Sequence, residues 1–464
     1  MRVGHPGHAA WRAGVVFLAC FAVFLTAGSR TPARNLSIFD QPFYAVTAWD
    51  LVERGVFTDG VFARGPGAAV RPPGMWLAPG YPVLLAGLMR LDPALHDAAT
   101  CLVTRLAEGA DAGGCPPARR FVLPVNMAFV ASAIALNYLA AARIAPASRW
   151  APSLAAGLTG VALFAYLRTL GLAMTESLGL FLFAAAGFLF LLAWQERGRW
   201  TALAAGFALG LLVLTRPSHV ALIAFALLAL LLLAPRGTGW SGRLLLPVIF
   251  ALGLGAATLP WMVRNQVTLG RFALTANYGP AVLVERLAYN RMTPTEFAQS
   301  FVFWLPDFGD DLARRLFGND LIEKLDWDRP NSFYAQGQRD RHAALGAAGE
   351  LQDRMGEILR RQVLGDPVAH AMATVSLGYR GLWVGRYASF LLLALLPLGL
   401  MAAARLGALR PLLVYAAPAW IMLGVHAAAS VNQERYNLAL ALGLSVGAGF
   451  AMERLAVRRG VRHA

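Results

Sequence analysis

The sequence predicts an all-α integral membrane protein with about ten transmembrane helices and two long periplasmic loops. Three observations point there. Of 464 residues, 57% are hydrophobic and only 14% charged, whereas a soluble domain carries about 25% charged residues. The apolar residues gather in repeated runs of roughly 20, the length that crosses a hydrocarbon core of about 30 Å as a helix. Every second connection between those runs is short and rich in arginine. The shorter alternating segments of a membrane β-barrel are absent from the pattern.

The first run is roughly Ala10–Gly28, with Arg2 ahead of it and Arg12 near its start. Thr26-Ala27-Gly28 resembles a signal-peptide cleavage region, but an uncleaved anchor is the preferred reading. Further runs cover 121–142, 151–170, 175–194, 200–215, 217–234, 244–263, 384–404, 411–429 and 435–453. Arg143 and Arg149 join the second and third runs, Arg197 and Arg199 the fourth and fifth, Arg236 and Arg243 the sixth and seventh, and Arg405 and Arg410 the eighth and ninth. Arg454, Arg458, Arg459 and Arg462 crowd the tail at 454–464. By the positive-inside rule these loops and both termini are expected in the cytoplasm of a cell with this chain in its inner (plasma) membrane. The membrane domain, 1–453, then exposes two loops on the periplasmic side, 29–120 and 264–383. In the first, Tyr81–Leu91 is apolar but too short to span, and reads as a re-entrant or interfacial helix. In the second, 340–364 has helical spacing with mixed charge and reads as an amphipathic surface helix.

The net charge of +15 rests on arginine, Lys324 being the only lysine. Those arginines sit in pairs between apolar runs and build no basic, aromatic-interleaved domain, so nucleic acid is excluded as a partner. Cys20 falls in the first run. Cys101 and Cys115 lie fourteen residues apart in the first loop; a disulfide there depends on an oxidising compartment, and the sequence leaves it open. No cysteine–histidine cluster marks a metal site, and no cofactor is read from the sequence, although a divalent metal is left open.

Ionisable groups beside hydrocarbon are costly and point to function. Asp40 follows the first run, and Glu176 opens the fourth. Arg216 stands between the fifth and sixth in Leu214-Thr215-Arg216-Pro217. Arg264 and Asn265 end the seventh, and Glu434, Arg435 and Tyr436 open the tenth. The topology puts all of them on the periplasmic side, where they could share one cavity. Each also has a plain reading: arginines snorkel to head groups, Thr175-Glu176 can cap a helix, Glu434 and Arg435 can form a surface pair, and Pro217 can simply break a helix. The shared sidedness favours a site. Guanidinium forks match phosphate oxygens, a carboxylate can take a proton from an attacking hydroxyl, and Phe39, Phe43, Tyr44, Trp49, Trp76 and Tyr81 suit sugar rings and isoprenoid chains. Asp40 and Tyr44, four residues apart, share a face if a helix starts there.

These stretches resemble the GT-C superfamily of membrane glycosyltransferases, which includes the protein O-mannosyltransferases and the aminoarabinose transferases of lipid A. The resemblance is carried, in order, by Asp40-Gln41-Pro42-Phe43-Tyr44 with Ala48, by Ala78-Pro79-Gly80-Tyr81-Pro82 continuing to Ala86, by Leu214-Thr215-Arg216-Pro217, and by Pro260-Trp261-Met262-Val263-Arg264-Asn265 continuing to Gly270. Thr175-Glu176 and Glu434-Arg435-Tyr436 resemble further recurrent pieces. The resemblance spans most of 10–453. It implies a polyprenyl-phosphate-linked sugar donor, a glycolipid, glycan or protein acceptor, inversion at the anomeric carbon, and Asp40 as the catalytic acid/base. One departure stands out. Many members have Asp-Glu where this chain has Asp40-Gln41, so a second carboxylate would come from Asp50, Glu53, Asp59 or Glu176. A transporter or flippase of lipid-linked sugars is the alternative; it would place charges at mid-membrane and show matching halves, and neither is present in the sequence. A membrane protein without chemistry is a third reading.

Overall fold

The computed structural model describes residues 6–62, 71–234, 239–347 and 350–461; Arg2, Arg236 and Arg462 of the expected basic clusters lie outside them. Among the described residues there is no strand, only helices and one isolated bridge between Thr58 and Pro73. The chain divides into two compact units. The first comprises 1–275, 395–418 and 442–464, the second 276–394 and 419–441.

The first unit begins with α1 (Pro6–Ser29), α2 (Gln41–Arg54), α3 (Gly80–Leu91) and α4 (Pro93–Ala107). It continues with α5 (Val122–Ile144), α6 (Ala151–Phe164), α7 (Leu167–Leu170), α8 (Glu176–Glu196), α9 (Arg199–Thr215), α10 (Ala221–Leu232) and α11 (Trp240–Leu269). The short apolar stretch of the first loop is α3, as expected. Asp92 starts α4 by accepting the Ala94 amide, with Pro93 in the first turn, where its missing N–H costs nothing. Cys101 and Cys115 are disulfide-bonded.

Packing inside this unit depends on small residues. A Cβ on Gly206 of α9 would stand 2.0 Å from the Phe250 carbonyl oxygen of α11, and one on Gly253 would stand 2.1 Å from that of Leu203. The two backbones therefore touch directly, the usual way to pack helices where hydrocarbon gives no hydrophobic drive. Asn137, fully buried in α5, donates to the Thr159 hydroxyl at 2.8 Å and to the Leu442 carbonyl at 3.2 Å, and accepts from the Tyr415 hydroxyl at 2.9 Å. At one end of these helices the expected cytoplasmic arginines bind neighbouring turns. Arg143 pairs with Glu196 at 2.6 Å, Arg197 donates to the Leu230 and Gly242 carbonyls, and Arg410 donates to that of Leu233.

The second unit holds α12 (Tyr278–Leu287), α13 (Pro294–Phe303), α14 (Gly309–Phe317), α15 (Asn319–Leu325), α16 (Phe333–Gly346), α17 (Met355–Ile358) and α18 (Pro367–Gly381). Side-chain caps start three of them: a Thr293/Glu296 capping box for α13, Ser332 for α16 and Asp366 for α18. The helix expected at 340–364 is thus divided. It begins earlier, at the Ser332 cap, and ends at Gly346, where a residue without a Cβ weakens the helix. Tyr289, Phe303, Trp304, Phe333 and Leu377 form the core. Arg286 is fully buried there, donating to the Ala427 and His370 carbonyls and the Thr374 hydroxyl. Burial lowers it to about 10, with Tyr289 opposing, so it stays charged at neutral pH.

The last helices are α19 (Tyr387–Arg405), α20 (Leu409–Ala429) and α21 (Leu440–Val461). Each predicted run thus contains a helix, although the third breaks into α6 and α7 and the tenth becomes α-helical only from Leu440. Among the described residues, seven helices are long and apolar enough to cross a membrane: α1, α5, α8, α11, α19, α20 and α21. The third, fifth and sixth runs give shorter apolar helices, α6 with 14 residues, α9 with 17 and the stretch Pro217–Leu232. α9 stops because Pro217 forces Arg216 into an extended conformation, with φ −138° and ψ 92°. This is a polytopic membrane protein.

Candidate active site

Contacts between helix ends draw several predicted residues of the first unit together. Asp40 is the residue before α2 and is half-buried; its side chain makes no capping bond. Phe39, just ahead of it, holds φ at +54°, a conformation that non-glycine residues seldom adopt and that clusters at functional sites. One turn into α2, Tyr44 packs edge-on against Tyr81 of α3, with ring centroids 5.4 Å apart. Tyr81 is almost wholly buried. Its hydroxyl is hydrogen-bonded to the Asn126 side chain and the Met174 backbone and feels the Glu176 charge. Burial pushes this phenol well above its ordinary value, the Asn126 hydrogen bond opposes the shift and Glu176 adds to it, so Tyr81 keeps its proton.

Glu176 opens α8 and is buried. One turn further on, a Cβ at Gly179 would lie 2.8 Å from the Arg216 Cδ, so the arginine lies across the start of α8. A Cβ at Gly80 would likewise lie 2.5 Å from the Thr215 hydroxyl, which seats the start of α3 on the end of α9. Gln41 completes the cluster: its side-chain oxygen accepts the Ala173 amide at 2.9 Å, just ahead of α8. Asp40, Tyr44, Tyr81, Glu176 and Arg216, scattered across 177 residues, are drawn to one set of helix ends. These are the ends opposite the arginine loops at 143–149 and 197–199, because Glu176 begins α8 and Arg197 follows its last residue.

Arg264 and Asn265 have a different setting. Arg264 donates to the Gly74 carbonyl at 2.7 Å, the Phe57 carbonyl at 3.0 Å and the Asn265 side-chain oxygen at 2.9 Å, and it lies over the Trp261 ring at 4.9 Å. Asn265, fully buried, donates to the Ala273 carbonyl at 2.7 Å. This pair clamps the first loop onto the end of α11. In the second unit, Glu434, Arg435 and Tyr436 form a short 3-10 turn, Glu434–Asn437. Arg435 donates to the Gln433 side chain at 2.7 Å and lies over the Tyr436 ring, which meets His426 edge-on.

Three of the four acids considered as a second carboxylate have defined structural partners. Asp50, fully buried, takes a two-pronged bond from Arg71 at 2.7 and 2.9 Å, a bond from the Thr58 hydroxyl at 2.6 Å, and a contact from Arg54 at 3.3 Å. Glu53 pairs with His96 at 2.8 Å, and Asp59 accepts the Trp76 amide at 2.7 Å. Glu176 alone belongs to the cluster around Tyr81. Among the described residues, no group of three or more histidine, cysteine, aspartate or glutamate side chains could hold a metal ion. Asn126 was missed by the sequence reading, although a polar residue inside an apolar run is itself a signal.

No family model and no curated protein matches the chain. Among solved structures, the crystal structure of ArnT from Cupriavidus metallidurans bound to undecaprenyl phosphate aligns over 95% of this chain and 78% of that one, at 15% identity and TM-score 0.37. The apo oligosaccharyltransferase from Archaeoglobus fulgidus aligns over 98% of this chain, which spans about half of that enzyme (51%), at 14% identity and TM-score 0.39.

Proposed function

We propose that the protein is an inverting glycosyltransferase of the GT-C kind, moving a sugar from a polyprenyl-phosphate-linked donor to a hydroxyl of a glycolipid, glycan or protein acceptor. The observation that carries this is the cluster of Asp40, Tyr44, Tyr81, Glu176 and Arg216 at the helix ends opposite the arginine loops. A half-exposed acid, a half-buried and a buried tyrosine, and a guanidinium at a membrane surface suit this transfer.

In that reaction the Asp40 carboxylate takes the proton of the acceptor hydroxyl as its oxygen attacks the anomeric carbon. The bond from that carbon to the donor's phosphate oxygen breaks on the opposite face. The phosphate leaves as an anion, and the Arg216 guanidinium stabilises the growing charge. Tyr81, held protonated and bonded to Asn126 and Met174, brings no negative charge close to that anion. Arg264 supports the loop that carries the site. The sidedness proposed is periplasmic, with both termini cytoplasmic, in an inner (plasma) membrane. The arginine loops support it, and so does the Cys101–Cys115 disulfide, a bond that belongs in oxidising compartments.

The test is transfer by purified full-length protein in nanodiscs, given a radiolabelled polyprenyl-phosphate sugar and membrane acceptors. Wild-type protein should release polyprenyl phosphate and label an acceptor, and Asp40→Asn should do neither while folding normally. Net movement of intact donor across vesicles without bond cleavage would favour the flippase reading instead.

A further inference from the structure

Resting on that transferase reading, we propose that Gln41 is a positioning residue for Asp40 and that its neutral amide is required: the glutamate common at this place in related enzymes would fail here. Gln41 is 2% exposed and makes three hydrogen bonds. Its side-chain nitrogen donates to the Asn35 carbonyl at 3.0 Å and the Ile38 carbonyl at 3.3 Å, and its oxygen accepts the Ala173 amide at 2.9 Å. The two carbonyls belong to the turn in which Phe39 sits at φ +54° and which delivers Asp40 to α2. The amide on the other side belongs to the segment leading into Glu176. One side chain thus ties the strained turn holding the base to the helix start that meets Tyr81 and Arg216.

The chemistry of the joint is directional. An amide offers two donors and an acceptor, whereas an ionised carboxylate only accepts. A carboxylate at position 41 would keep the Ala173 bond but set a buried negative charge against two carbonyl oxygens, with no donor to satisfy them. The turn would then lose both bonds from position 41, and Asp40 would shift. The same joint answers the question raised by the departure from Asp-Glu. Position 41 is occupied by a structural amide, so Asp40 works beside a neutral neighbour.

The sign of the pH effect follows. Burial against carbonyl oxygens raises the pKa of an introduced carboxyl. Below that pKa it is neutral and donates one hydrogen bond again; above it, the joint is broken. Gln41→Glu should therefore be defective at pH 8 and recover toward pH 5, while the similarly sized Gln41→Met should be defective at both. Two measurements on full-length protein decide it. Hydrogen exchange by mass spectrometry should show 35–45 and 170–175 opening together in Gln41→Glu, with protection lower than wild type by about tenfold at pH 8 and close to wild type at pH 5. Transfer assays should show kcat about tenfold to a hundredfold lower at pH 8, KM for the donor unchanged, and a ratio to wild type that climbs as pH falls. Unchanged exchange in either segment at pH 8 overturns the joint. Full transfer by Gln41→Glu beside an inactive Asp40→Asn overturns the positioning role alone, whereas an active Asp40→Asn sinks the transferase assignment of Asp40 itself.

Discussion

The two ends of α2 each carry an aspartate, Asp40 before its first residue and Asp50 near its last turn, and their surroundings are opposite. Asp50 has no exposed side-chain surface and is held by Arg71, Thr58 and Arg54. Asp40 is half-buried, caps no helix amide, and follows a residue in a strained conformation. A buried carboxylate gripped by Arg71 and Thr58 is a structural anchor, its oxygens turned to donors of its own chain. A carboxylate at an open helix start can meet a hydroxyl from outside. The contrast teaches that position along an otherwise ordinary helix separates a structural acid from the one proposed as catalytic.

Four experiments would break or sharpen that contrast. The largest effect is expected at the open end: Asp40→Asn should lower transfer by about 10²–10⁴-fold with the thermal unfolding curve unchanged. A matching loss of thermal stability would erase the distinction. At the closed end, Asp50→Ala or Arg71→Ala should destabilise by about 3–5 kcal/mol, because each leaves an uncompensated buried charge or its unpaired donors; the readout is the melting temperature of purified protein, and an unshifted melt would show the pair to be dispensable. The third concerns the loop beyond α4. Opening the Cys101–Cys115 bond, by Cys101→Ser or by reductant on wild type, should cost about 3 kcal/mol for a loop of this length. It should also loosen Asn35, which donates to the Gly113 carbonyl beside the disulfide at 2.6 Å, so transfer should fall less than in Asp40→Asn. The smallest effect is expected far from α2: Asn137→Ala should cost about 0.6–1.7 kcal/mol, seen as a modest drop in unfolding temperature with transfer retained.

Legibility in the sequence followed the range of the physics. The apolar runs appear as helices because hydropathy and the need to close backbone hydrogen bonds act within one segment. Even so, α11 runs from Trp240 to Leu269, beyond the expected 244–263 and straight through Pro247 and Pro260, since in apolar surroundings packed neighbours tolerate a proline that would end a helix in water. The short α3 was legible from its length. The split between α16 and α17 was not read, though Ser332 was an available start signal. At the site, residue types and sidedness were visible. The partners were not: Asp50 and Arg71 are 21 residues apart, Tyr81 and Glu176 are 95 apart, and nothing local in either stretch names the other.

By itself the sequence determined the class of the protein, where its apolar helices fall along the chain, and which polar residues stand near their ends, because each depends on a single segment meeting a low-dielectric layer. Only the tertiary structure decided that Asp50, Glu53 and Asp59 have structural partners, that Arg264 binds loop carbonyls, and that Gln41 is a two-sided amide joint. Those outcomes depend on which donors and acceptors arrive from distant parts of the chain. A buried polar group takes its role from the partner that satisfies it, and the fold supplies that partner.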